Sequence, residues 1–159
     1  MNNIVSIRPE TKGAPHAAVA GDFVTMKVAN QMFGVQVLLV RDILAGLPLT
    51  RIPLASPEIA GVLNLRGRVI TAIDMRRRLG LPPCEPGTRT MSVVVERSGE
   101  LYSLIVDSVG EVISLSGEIF KETPATVNPQ WRGFCDGVYC LREELLIALD
   151  IENLLDINK

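Results

Sequence analysis

Arg66 and Arg68 flank Gly67 in the stretch GVLNLRGRVITAIDMR, residues 61–76, where two short apolar runs fold back on each other. Gly67 can supply the positive φ of a tight hairpin turn, which places both guanidinium groups near its tip. A cation there is an ordinary solvated turn residue unless something meets it. Its chemistry would be bidentate pairing with a carboxylate or donation to a partner's backbone. Two acids, Asp74 and Asp150, each end an apolar strand just ahead of a helical turn. Paired carboxylates could divide acid and base roles in a small hydrolase with an unrecognised nucleophile. Asp before a helix is better explained as an N-cap that accepts from free first-turn amides.

The other reactive side chains exclude more than they suggest. His16 is the single histidine and lies in a Pro/Ala/Gly-rich lead-in, so the folded part can assemble neither a histidine metal cluster nor a Ser-His-Asp triad. Cys84, Cys135 and Cys140 lack metal-site spacing and read as reduced, small apolar thiols. Asp42, Asp107 and Glu111 lie at strand ends or turns without clustering suited to a metal or phosphate, and no Gly-rich phosphate cradle is present. No catalytic set, metal or cofactor is expected. The basic run Arg76-Arg77-Arg78 could serve a nucleic-acid-binding tandem barrel, but net charge is -2 and aromatic residues make up 4%. A basic face with stacking platforms is therefore missing, and the run reads as the solvated end of a helical turn.

These residues need strands to position them. The 159 residues are 47% hydrophobic and 21% charged, as expected of a globular chain. Alternation and turn chemistry predict hairpins at FVTMKVA with MFGVQVLLV and at SVVVE with LYSLIVD. Thr50 to Pro57 ends a strand with prolines, and SPEIAG reads as the start of a short capped helix. Phe33–Ile43 aligns with Tyr102–Val112 at an offset of 69 residues, pairing Val40 with Val109 and Asp42 with Glu111. Gly61–Leu79 aligns with Gly137–Leu155 at an offset of 76. The repeat predicts an all-β fold of two tandem five-stranded barrels with short helical turns, since closure hides strand edges. The expected organisation is a flexible tail over 1–21, a first barrel over 22–83, a linker over 84–87 and a second barrel over 88–159. This organisation leaves terminal strands free to cross between the two barrels. Arg142, the counterpart of Arg66, is followed by Glu143 and Glu144 and should present a different surface. No apolar run is long enough to span a bilayer and no secretion signal is evident, so a cytoplasmic location is expected.

The order and spacing of Val40-Arg41-Asp42-Ile43, Thr50-Arg51-Ile52-Pro53, Pro57, Gly61 to Gly67, Ile73-Asp74 and Asp107 to Val112 resemble the CheW family of chemotaxis coupling proteins. The resemblance covers nearly everything after the tail. It implies barrels of the kind seen in Src-homology adaptors, related by a pseudo-twofold axis, and no catalytic activity. It implies an adaptor that joins chemoreceptor tips to the regulatory domain of the CheA histidine kinase, recruited to membrane-associated arrays without inserting in the membrane or binding nucleic acid. Val40, Asp42, Gly61, Asn64 and Arg66 are the implied receptor-binding residues, and kinase-facing residues stay unassigned. Many relatives carry Glu where this chain has Asp42. The expected docking place is an apolar groove between the barrels, with Gly61 leaving room for a receptor helix. Trp131 reads either as core or as an exposed anchor.

Overall fold

The computed structural model describes residues 21–157 apart from 47, 86, 116–119, 122–128 and 142–143. His16 and Arg142 therefore lie outside the described residues. β1 (Gly21–Val28) and β2 (Gln31–Gln36) form the first hairpin, turned by Ala29 and Asn30, both at positive φ. The sequence reads Met32 to Val40 as one strand, and the structure breaks it. Val37–Leu39 is a 3-10 turn with no buried residue, and β3 (Val40–Ala45) continues in the other sheet. The apolar character runs through the break, so hydrophobic patterning does not reveal it.

β4 (Ile59–Leu65) and β5 (Arg68–Asp74) form the next hairpin, followed by α1 (Met75–Arg78). The short helix expected at SPEIAG does not form. Ile59 donates its N–H to Ser56 O at 2.9 Å, and this single turn delivers the chain straight into β4. β6 (Met91–Arg97) and β7 (Glu100–Val106) pair around Ser98 and Gly99, again both at positive φ. Then come β8 (Ser108–Leu115), the two-residue β9 (Phe120–Lys121), a 3-10 segment over Pro129–Phe134, β10 (Cys135–Leu141), β11 (Glu144–Leu149) and α2 (Ile151–Leu154).

The fold is all-β, with the two expected sheets, one extended to six strands by β9. Their orders are β8-β1-β2-β11-β10-β9 and β3-β6-β7-β5-β4. Each sheet combines the first hairpin of one repeat unit, β1–β2 or β6–β7, with the remaining strands of the other. The boundary at 84–87 thus divides the sequence repeat and not the sheets. Crossing involves β3, β4 and β5 of one unit and β8, β9, β10 and β11 of the other, well beyond the terminal strands. Two parallel pairings join the exchanged strands, and they share one register. Phe33 lies opposite Ile147 in β2 and β11, while their repeat counterparts Tyr102 and Thr71 lie opposite each other in β7 and β5. Parallel strands need long crossovers, which the intervening hairpins provide.

Side-chain alternation then produces three cores. Phe23, Tyr139, Leu146 and Ala148 fill the inside of the six-stranded sheet, the two rings 5.9 Å apart. Leu63, Ile70, Ala72 and Val94, with Leu44, Leu101 and Ile105 against them, fill the inside of the other. All five of its strands contribute, so this sheet curls around a common centre. The opposite faces, including Val28, Phe33, Ile73, Val93, Val95, Leu104 and Ile147, form one core shared by both sheets. Val93-Val94-Val95 reads as a continuous apolar run because Val94 serves one core and its neighbours the other. Trp131 belongs to the shared core: its ring meets Phe33 edge-on at 5.5 Å, and Nε1 donates to Leu79 O at 2.9 Å. Packed side chains of this shared core occupy the interval between the sheets.

Candidate functional site

The β4–β5 turn places Arg66 at φ 53 and Gly67 at φ 85, the two positive φ values of a type I′ hairpin. Asn64 Oδ1 accepts the Gly67 N–H at 3.1 Å, so this candidate contact residue holds the turn from within. Arg66 is not a simple solvated cation. Its Nη1 donates to Asp42 Oδ2 at 2.8 Å, and the shorter acid still closes the pair. β3 carries Asp42 and is one edge of the five-stranded sheet, while the Arg66 turn adjoins β4, the other edge. The ion pair therefore bridges the two edges that curling brings together. Hydrogen bonding from Arg66, opposed by partial burial, holds the Asp42 carboxyl below its ordinary range, so it remains ionised at neutral pH. Most of the Arg66 side chain is exposed, and a guanidinium has further N–H groups to offer a partner.

The other two candidates are placed differently. Val40 begins β3, half-buried against the shared core, and a register shift separates it from Asp42. Gly61 is buried at a bulge in β4 with φ +149. A Cβ at this position would stand 2.5 Å from Thr50 O. Thr50 and Val62 exchange both backbone hydrogen bonds at 2.9 Å. The missing side chain thus admits a carbonyl of the same chain, a reason for glycine here that needs no partner helix. Asp42, Asn64 and Arg66 come together, whereas Val40 and Gly61 support the strands that carry them.

A second polar cluster has no counterpart in the sequence reading. Asp107, the one residue between β7 and β8, accepts from Arg76 Nε at 3.1 Å and Nη2 at 2.7 Å, and from Ala29 N–H at 2.8 Å. Arg76 also donates to Pro82 O at 3.0 Å. The Arg76 hydrogen bond holds the Asp107 carboxyl low against the opposing effect of burial, and the Ala29 N–H adds to it. This cluster ties the β1–β2 turn, α1 and the segment that follows α1 to the point where the chain changes sheets. Arg78 donates to Leu154 O at 2.8 Å and Asn153 O at 3.0 Å, with its guanidinium carbon 5.1 Å from the Phe134 ring centre. Arg76 and Arg78 are committed internally, contrary to the expected solvated run. The signal available in the sequence was the spacing of basic residues after a capped turn, which does not say what they reach.

The two acids weighed for catalysis are N-caps. Asp74 Oδ1 accepts from Arg76 N–H at 3.0 Å and Arg77 N–H at 3.4 Å, and Asp150 Oδ1 accepts from Asn153 N–H at 3.3 Å. Burial pushes the Cys84 thiol up, away from its nucleophilic form. No helix among the described residues is long and apolar enough to cross a membrane.

The family model for the CheW-like domain matches residues 22–159. The chain is 29% identical over 133 residues to a probable chemotaxis protein CheW of Rhizobium etli, covering 84% of this chain and 86% of that protein. It is 28% identical over 145 residues to the chemotaxis protein CheW of Rhizobium meliloti, covering 91% and 94%. Among solved structures, the scaffolding protein TtCheW from Thermoanaerobacter tengcongensis superimposes with a TM-score of 0.78 at 26% identity, covering 88% of this chain and 95% of that one. With the repeat, the exchanged strands and the NLRG turn all inside the matched region, the chain belongs to the CheW-like domain family.

Proposed function

We propose that this chain is a non-enzymatic adaptor that couples the cytoplasmic tips of chemoreceptors to the regulatory domain of a CheA-type histidine kinase. The observation that carries the reading is the Arg66–Asp42 pair, an exposed guanidinium fixed across two sheet edges by an internal carboxylate. A preorganised cation on a rigid turn suits recognition of another protein, because little ordering entropy remains to be lost on binding. Family membership points the same way, as does the engagement of Asp74 and Asp150 as helix caps. The adaptor would work in the cytoplasm and be drawn to receptor arrays through its partners. The commitment of Arg76 and Arg78 to internal acceptors disfavours a nucleic-acid reader.

The test is titration of the full chain with a soluble receptor cytoplasmic fragment and with the isolated kinase regulatory domain, separately and together. An adaptor binds each and forms a three-component complex. Binding of neither, or strict competition between them, contradicts coupling.

A further inference from the structure

Residues 48–54, between β3 and β4, are exposed throughout and carry Leu49, Ile52 and Leu54. Ala55 donates its N–H to Ile52 O at 3.3 Å, closing a turn with Pro53 second and Leu54 third. Leu54 lies at φ +63 and is fully exposed. The third position of a proline-led turn with positive φ favours Gly or Asn, so leucine is unfavourable there both in backbone conformation and in contact with water. We propose that Leu54 is a contact residue that inserts into the apolar stripe of an amphipathic receptor helix, an inference that rests on the coupling role above.

The loop presents this side chain in a fixed position. Thr50 is bridged to Val62, Gly61 admits the Thr50 carbonyl, and Glu58 O accepts the Asp74 N–H at 2.8 Å. Strained or exposed groups held this firmly are typical of binding surfaces. The loop is also continuous with the Arg66 turn. It is bridged to β4 at Val62, and the seven residues of β4 span about 23 Å, the length of about four helical turns. A helix lying along that edge can reach both ends. Arg51 in the loop and Arg66 and Arg68 at the turn are exposed, so the complementary partner is a helix with acidic side chains beside its apolar stripe.

Leu54→Asn tests this, because Asn tolerates positive φ and removes the apolar contact. The unfolding midpoint is expected at or above that of the parent. Affinity for a soluble receptor cytoplasmic fragment is expected to fall about tenfold or more, as for loss of a buried leucine, with Leu54→Met retaining most of it. Affinity for the kinase regulatory domain is expected to stay unchanged. Equal receptor affinity in the parent and in Leu54→Asn overturns the assignment, as does a loss confined to the kinase domain. Failure of the parent itself to bind receptor would instead remove the coupling role on which the inference rests.

Discussion

Arg66 Nη1 and Asp42 Oδ2 are 2.8 Å apart although their residues belong to opposite edges of one sheet, separated in strand order by β6, β7 and β5. The pair is the polar counterpart of the core formed by Leu44 and Leu63 with their neighbours, which draws the same two edges together from inside. A partner that engages the exposed guanidinium therefore acts on β3 and on the β4–β5 hairpin at once.

Arg66→Glu places two carboxylates where the edges meet. Because an exposed ion pair adds little to stability, the thermal midpoint should stay close to the parent's, while receptor-dependent kinase activation should be lost. Adding Asp42→Lys restores an internal pair with the charges exchanged. Activation should not return, since the cation is no longer on the turn, and full recovery in a reconstituted kinase assay would show that the internal pair alone suffices.

Gly61→Ala should destabilise the fold by about 1–3 kcal/mol, since a Cβ meets the Thr50 carbonyl and the residue keeps a positive φ. Denaturant unfolding measures this directly. An unchanged midpoint would return Gly61 to the role of a residue that keeps the surface clear.

Asp107 gives the fold an acid-sensitive joint. Its carboxyl is held below its unfolded value, so its contribution is fully present above the unfolded carboxylate range and is lost as pH falls through the folded value. Asp107→Asn should be less stable than the parent at pH 7 by about 1–3 kcal/mol, with the gap narrowing below about pH 4. Parallel denaturant curves at the two pH values check the sign.

The β4–β5 and β6–β7 turns and both N-caps were legible because each is written locally: glycines at positive φ, alternating apolar residues, and Asp between an apolar strand and a helical turn. The extent of the strand exchange, beyond the terminal strands, was not. Which hairpin β3 joins depends on contacts with β6 and on the curl of the sheet, and Val37-Leu38-Leu39-Val40 looks the same in a strand as at a crossing. The site was half legible for a similar reason. Arg66 and Gly67 announce a charged turn, but Asp42 is 24 residues away and Thr50 meets Gly61 through its backbone, which carries no side-chain signature.

Exchange also predicts that neither repeat unit folds alone. A fragment ending at Gly87 lacks β6 and β7, which separate β3 from β5, and β11, which pairs with β2. Its amide hydrogens should exchange without protection, and a cooperative unfolding transition in that fragment would contradict the interleaved topology.

The most direct test of the coupling role is kinase autophosphorylation in a mixture of receptor-containing vesicles and full-length CheA-type kinase, measured as this chain is added. Coupling predicts that the rate rises to a plateau near stoichiometric amounts of the chain, that receptor and kinase without it stay at the basal rate, and that Arg66→Glu does not raise it. A rate indifferent to the chain at every concentration would contradict the account.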